Sequence, residues 1–299
     1  MKTAACTEAI ALPRSRGLDF IELTKPRIAV LVLFTVAAGA LLAQRGAPDL
    51  VLLANTLLGT ALVAAAASAL NQLLERHSDA LMRRTENRPL PAGRLQPYEV
   101  LIFGIVLAVA GLGWLAATAR HPLAVGVAAF TLVSYVLLYT PLKRHTTLNT
   151  LVGAVPGALP PVIGWAAVTG TLDREIVALF LVMFLWQVPH FLAIAWIYRE
   201  DYGRAGLQML PVVDPAGAVT GRQMLSYCLA LIPVSLLPAL FHQAGPMYAL
   251  GALLLGVGFA KSAVDFLREK THARARRVLH ASLVYLPMLF GLLLLEKWL

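Results

Sequence analysis

Long apolar blocks alternate with short polar stretches along almost the whole chain. The pattern predicts nine membrane-crossing helices, at about 28–44, 50–70, 98–119, 122–140, 149–170, 175–197, 223–243, 246–266 and 278–296. Crossing a hydrocarbon layer takes about 20 helical residues, and each block approaches or exceeds that length. Two of the intervening stretches, 71–97 and 198–222, are longer and more polar than the rest. Loops of that kind carry function more often than tight connectors do. No repeat or low-complexity run interrupts the pattern. The expectation is an all-α, polytopic membrane bundle forming one domain over 25–299, behind a polar tail over 1–24.

Composition agrees with a membrane fold. Of 299 residues, 59% are hydrophobic and 14% charged, against about 25% charged in soluble domains. The net charge is +9, which in a soluble protein would suggest nucleic acid. Here its distribution assigns it to loops instead. With the N-terminus inside, 21 of the 25 Lys and Arg residues fall in cytoplasmic segments, leaving only Arg45, Arg120, Arg174 and Lys297 outside. Such asymmetry fixes orientation by the positive-inside rule. It places the N-terminus in the cytoplasm and the C-terminus outside, and it excludes nucleic acid as the partner. The two cysteines, Cys6 in the tail and Cys228 in a span, predict neither a disulfide nor a cysteine metal site. The first 20 residues lack an apolar core followed by a cleavage site. The first span is expected to direct insertion itself.

The second apolar block runs into Asn71, Glu75 and Asp79, followed by Arg83, Arg84, Arg88 and Arg94. If the helix continues, the first three lie at i, i+4 and i+8 and drift only about 80° around the axis, so they share a face. Two carboxylates and a carboxamide oxygen suit Mg²⁺ held partly through substrate phosphates. Guanidinium groups suit the phosphates themselves. The run also reads as a solvated helix end, but carboxylates at a membrane boundary are costly and usually serve function. A second cluster follows the sixth span: His190, then Glu200, Asp201 and Arg204. Between them the fourth span ends in Tyr139, Lys143 and Arg144, with Pro141 placing a regular helix there in question. Lys25 and Arg27 precede the first span. These cations serve equally as phosphate ligands or as positive-inside anchors. By the charge count all the clusters share one side, at the mouth of an apolar bundle. A polar diphosphate on a long apolar tail fits that arrangement. Trp165, Trp186 and Trp196, near span ends, are expected as interface anchors.

At this point the sequence resembles a known family. Asn71…Glu75…Asp79…Met82-x-Arg84-Thr85-x-x-Arg88-Pro89-Leu90 is similar to the first aspartate-rich motif of the UbiA superfamily of intramembrane prenyltransferases, and within it to the haem-farnesylating branch. Leu23–Arg27, Tyr139–Arg144, Gly157–Trp165, Pro189–Phe191 and Asp201–Val213 match in order and spacing, over roughly 20–295. The resemblance implies a nine-helix bundle that transfers a farnesyl group from farnesyl diphosphate to a vinyl group of haem B, with Mg²⁺. Asp79, Tyr139 and Lys143 become the candidate catalytic residues. Lys25, Arg27, Arg84, Arg88, Lys143 and Arg144 become diphosphate ligands. Asn71, Glu75, Asp79, Glu200 and Asp201 become Mg²⁺ ligands, and His190 a haem contact. It further implies haem A synthase or terminal-oxidase assembly factors as partners besides the lipid bilayer. A short N-terminal tail, unlike a long Arg- and Ser-rich transit sequence, makes a bacterial plasma membrane the expectation rather than a mitochondrial one. Most of the superfamily has a second motif with aspartates four apart. Here Ala205 stands four beyond Asp201, a reduction that the haem-farnesylating branch shares. Gln187-Val188-Pro189-His190-Phe191-Leu192 stands where the branch usually has two prolines before the histidine and a tryptophan after the phenylalanine, and Gln208 replaces a usual proline. The alternatives are a prenyltransferase for a quinone precursor or chlorin ring, a transporter or channel, and a non-catalytic assembly protein. Span centres almost free of charge argue against a transport pathway.

Overall fold

A computed structural model describes residues 15–298; of the polar tail, residues 1–14 with Cys6 lie outside the described residues, as does Leu299. Residues 16–23 of that tail form a helix, α1 (Arg16–Leu23), with Asp19 and Leu23 buried. Among the described residues nine long helices follow, each apolar and long enough to cross a membrane: α2 (Pro26–Ala43), α3 (Leu50–Asp79), α4 (Pro97–Thr118), α5 (Pro122–Leu142), α6 (Asn149–Thr169), α7 (Arg174–Ile197), then, past the short α8 (Arg199–Arg204), α9 (Ala218–Leu240), α10 (Pro246–Arg268) and α11 (His272–Trp298). The predicted spans and the observed ones correspond one to one. The largest difference is at α3, which runs nine residues beyond the expected edge and carries the first polar cluster as helix.

Local sequence accounts for the ends. Proline opens α2, α4, α5 and α10, where the missing N–H costs nothing and the fixed φ favours helix. Asp49 caps α3 by accepting from the Leu52 N–H at 2.9 Å, and the Glu99 carboxylate accepts from the Gln96 N–H at 2.8 Å at the start of α4. Gly170, at φ 70°, ends α6.

Small residues draw the helices together. A Cβ on Gly39 of α2 would lie 2.0 Å from the Pro161 carbonyl oxygen of α6, and one on Gly164 of α6 would lie 2.0 Å from that of Val36 in α2. These helices pack backbone against backbone, as small residues permit in membranes. Gly59 of α3 and Gly111 of α4 approach in the same reciprocal way. Large side chains fill the other half of the bundle: Tyr248, Phe259, Phe266, Tyr285 and Phe290 are fully buried. Trp165, Trp186 and Trp196 are buried too, not interface anchors as expected, because α6 and α7 run through the middle of the bundle.

The last helix ties two others. Lys297 donates to the carbonyls of Leu41 at 2.6 Å, Leu42 at 2.8 Å and Gln44, closing the C-terminal end of α2. Its neighbour Glu296 accepts from the backbone N–H of Tyr248 at 2.8 Å and from that of Gly245, capping α10. Both contacts satisfy backbone groups that a helix end leaves without partners.

Candidate active site

The face shared by Asn71, Glu75 and Asp79 stays helical to its last residue, and other elements bring a cation to each member. Lys143, one residue past α5, donates to Glu75 Oε1 at 2.6 Å. Arg88, from the polar stretch after α3, donates to Asp79 Oδ2 at 2.7 Å. Lys25, at the junction of α1 and α2, reaches Asn71 Oδ1 at 3.5 Å. Asn71 in turn donates to Thr140 Oγ1 at 3.1 Å. The positive charges outnumber the carboxylates, so the site has cationic capacity left for an anion. Asp79 Oδ1 is buried and accepts no hydrogen bond. A carboxylate oxygen left in that state is costly, and it is the hard oxygen donor that Mg²⁺ takes. Among the described residues no three His, Cys, Asp or Glu side chains converge. A cation here would need further oxygens from its substrate, which is how Mg²⁺ is commonly held.

Lys25 adopts a left-handed backbone, φ 49°, a strained state for a residue with a Cβ and one that concentrates at functional sites. It persists because α1 is fixed on both sides. Asp19 accepts from Arg94 at 2.8 Å, and Gln72 of α3 donates to the Leu23 carbonyl at 2.9 Å. Burial, and after it the Arg88 charge, pulls the Lys25 ammonium down to about 7, with Glu75 pulling the other way. For Lys143 burial also disfavours the charge, but the Glu75 carboxylate outweighs it and holds the ammonium well above its ordinary range.

Before Lys143, α5 loosens into a π turn over Ser134–Tyr139, closed by the Thr140 N–H bonding five residues back to the Tyr135 carbonyl. The Thr140 hydroxyl donates to the same carbonyl at 2.9 Å. The turn sets Tyr135 beside Tyr139, ring centroids 5.3 Å apart and planes tilted by 43°. It also sets Lys143 Nζ 4.4 Å from the Tyr139 ring centre. Gly153 makes room for that ring: a Cβ there would lie 2.5 Å from it. Pro141 was the sequence's only hint of this irregularity.

Together these groups wall a cavity of about 660 Å³, within the common range for ligand sites. Lys25, Arg27, Arg84, Arg88 and Lys143 line it with Asn71, Glu75 and Asp79, and Tyr139 lies alongside. The rest of the wall is mostly apolar, with Ile28, Met82, Tyr135, Phe191, Ile194, Leu207 and Met209, and Glu22, Gln72, Thr150 and Tyr202 add polar groups to it. Met82 packs with Ala195, Leu207 and Met209, joining the two long polar stretches over the cavity. Arg84 donates to the Tyr202 hydroxyl at 3.3 Å and stands 4.9 Å above the Tyr198 ring. Sequence reasoning missed Gln72, Tyr135, Thr140 and the Met82–Leu207–Met209 roof. Met82, Thr140, Leu207 and Met209 stood within matching motifs but without a role, and Tyr135 had a signal in lying one turn before Tyr139.

Four expected site residues stand elsewhere. Arg144 donates to Ser78 Oγ at 2.8 Å and does not line the cavity. Glu200 and Asp201 lie on α8, outside the cavity lining, and Asp201 pairs with Arg204 three residues on. Asp201 is thereby engaged within its own short helix, and Glu200 is exposed. His190 is not in the lining either; its Nδ1 lies 2.7 Å from Ser282 Oγ of α11.

Residues 32–290 match the UbiA prenyltransferase family. A relative from Solibacter usitatus, called protoheme IX farnesyltransferase, is 50% identical over 93% of this chain and 98% of its own. One of the same name from Myxococcus xanthus is 47% identical over 93% and 94%. Among solved structures, a digeranylgeranylglyceryl phosphate synthase superimposes with TM-score 0.78 at 16% identity, covering 94% of this chain and 98% of that one. A UbiA homologue from Archaeoglobus fulgidus bound to GPP and Mg²⁺ does so with TM-score 0.65 at 14% identity, covering 92% and 99%. At these identities the structures show the shared fold.

Proposed function

The chain belongs to the UbiA prenyltransferase family and is a multi-pass membrane prenyltransferase; from that premise we propose that it transfers a farnesyl group from farnesyl diphosphate to a vinyl group of haem B, giving haem O and diphosphate. The observation that carries the donor half is Asp79: a buried carboxylate with one oxygen on Arg88 and the other without a partner, at the polar end of an apolar cavity. The name borne by its relatives supports the acceptor half.

Asn71, Glu75 and Asp79 would hold Mg²⁺, which supplies positive charge against the leaving diphosphate. Lys25, Arg27, Arg84, Arg88 and Lys143 take up phosphate oxygens. Arg88 and Lys143 do so by turning from Asp79 and Glu75, so that charges paired with each other become charges paired with substrate. They stabilise the negative charge that grows as the C1–O bond breaks. Tyr139 and Tyr135 present ring faces beside Lys143, where an allylic cation gains from π density. Ile28, Phe191, Ile194, Leu207 and Met209 enclose the isoprenoid and exclude water until C1 has bonded to the vinyl carbon. Water then adds to the carbocation formed on the acceptor side and loses a proton, leaving a hydroxyethylfarnesyl substituent.

We place the polar end in the cytoplasm of a bacterial cell, on the charge asymmetry of the loops. Purified protein given haem B, labelled farnesyl diphosphate and Mg²⁺ tests the assignment. Label is expected on haem, with none transferred when Mg²⁺ is chelated. Label on a quinone precursor and none on haem would sink it.

A further inference from the structure

A concentration of unpaired positive charge lies outside the diphosphate cavity, around the turn that joins α10 to α11. The cavity lining extends no further along the chain than Met209, so neither helix contributes to it. Alternating spans bring this turn to the same end of the bundle as the cavity mouth. Residues 261–277 hold six cations against two carboxylates, Asp265 and Glu269. One cation takes both: Arg274 lies 3.7 Å from Asp265 Oδ2 and 2.9 Å from Glu269 Oε2. The other five, Lys261, Arg268, Lys270, Arg276 and Arg277, are exposed and have neither an ion pair nor a hydrogen bond among the described residues.

Their placement selects the partner. α10 and α11 are antiparallel neighbours joined by three residues. On the outer face of α10, exposed Leu250, Leu254 and Val257 give way to Lys261 and then to Arg268. Steps of three, four and seven residues keep these on one face. On α11 the change runs the other way, from Arg276 and Arg277 into exposed Leu283, Val284 and Met288. Lys261 stands seven residues before the end of α10, and exposed His280 stands eight residues after the start of α11. Both therefore lie about 10–12 Å along the helices from the turn. The two outer faces pass from apolar to basic at one level.

That level is where a hydrocarbon layer meets its headgroups. Lys and Arg there lay their apolar stems along the helix and carry their charge to the phosphates. The cations descend the flanks of the helices rather than only crowning the turn, so a headgroup beside the hairpin meets them all, whereas a soluble partner above it meets the turn alone. We propose that the outer face of the α10–α11 hairpin binds the headgroups of anionic phospholipids, a second anion site separate from the diphosphate cavity. Arg276 and Arg277 supply guanidinium forks for phosphate oxygens, and Lys261 adds a point charge from the other helix. Loop charge asymmetry by itself would let any cation at this end of the bundle serve equally; here a defined set is left without acidic partners. The site holds whichever acceptor the enzyme prenylates.

Electron paramagnetic resonance of spin-labelled lipids at the protein boundary tests this, with the purified chain in phosphatidylcholine bilayers. The wild type is expected to hold spin-labelled phosphatidylglycerol roughly threefold better than spin-labelled phosphatidylcholine. The preference should collapse in about 1 M salt, where charges are screened within about 3 Å. Lys261→Gln, Arg276→Gln and Arg277→Gln combined should abolish it at low salt. Arg276→Gln with Arg277→Gln, which leaves α10 untouched, should remove at least half of it and serves if the triple variant fails to insert. Arg83→Gln, which removes an exposed cation from the stretch after α3, should leave it unchanged. Mg²⁺-dependent binding of inorganic pyrophosphate should be the same in every variant. A wild type without the preference overturns the inference, as does a preference that survives high salt or the triple substitution; the cations would then answer to an acidic protein instead. An equal loss in Arg83→Gln overturns the assignment to this hairpin.

Discussion

Asp79 and Arg88 form the pair on which donor activation depends. Removing either leaves a buried charge without its partner and takes away one phosphate or metal contact. Asp79→Ala and Arg88→Ala are each expected to lower kcat/KM by at least 100-fold while the protein still inserts, read by labelled farnesyl transfer against the yield of membrane-extracted protein. Glu200→Ala and Asp201→Ala are expected to change it less than about threefold, since neither carboxylate lines the cavity; a loss comparable to Asp79→Ala would return them to the metal site. The contrast shows what one sequence reveals about single residues. The Asn71–Glu75–Asp79 face was legible because helical spacing alone sets it. Its partners Arg88 and Lys143 were legible only as nearby cations. The placement of Glu200 and Asp201 outside the cavity lining depends on how a six-residue helix sits against α7, which spacing does not encode. The His190–Ser282 contact joins residues 92 apart in sequence and left no local trace.

Among the elements, the π turn of α5 has the most specific consequence. Thr140 holds it twice, by its N–H and its hydroxyl on the Tyr135 carbonyl, and accepts from Asn71 besides. Thr140→Val keeps the shape but loses both hydroxyl interactions, at about 1 kcal/mol each. A lower thermal midpoint and roughly tenfold weaker pyrophosphate binding are expected together, because the same turn aims Lys143. Val36 and Gly164 make the complementary case: Gly164→Ala drives a methyl into the Val36 carbonyl. A cost of about 1–3 kcal/mol is expected, seen as faster thermal inactivation, with KM little altered. The spans themselves were plain from hydropathy. The π turn was not, since Pro141 marks an irregularity without naming its form. The first helix was hidden in a tail because eight residues carrying Arg16, Asp19 and Glu22 resemble a loop until Asp19 and Arg94 are seen paired.

At the scale of the whole molecule, apolar blocks made the nine spans readable, while the contacts that join the last helix to α2 and α10 were not, because they rest on the last side chains of α11. Lys297→Ala is expected to cost about 2–3 kcal/mol for the loss of a charged donor, lowering the thermal midpoint while leaving pyrophosphate affinity at its wild-type value. That anchor also sets a clock. Lys297 and the Leu41 carbonyl it satisfies are separated by 256 residues. At about 5–20 residues per second of synthesis, the end of α2 waits roughly 13–50 s for its donor. Through that interval its carbonyls must be served by water or lipid headgroups, and the helix must be kept in register by α3 and α6 alone. The end of α2 is therefore one of the last seams of the bundle to be finished during synthesis, long after α2 itself has been made.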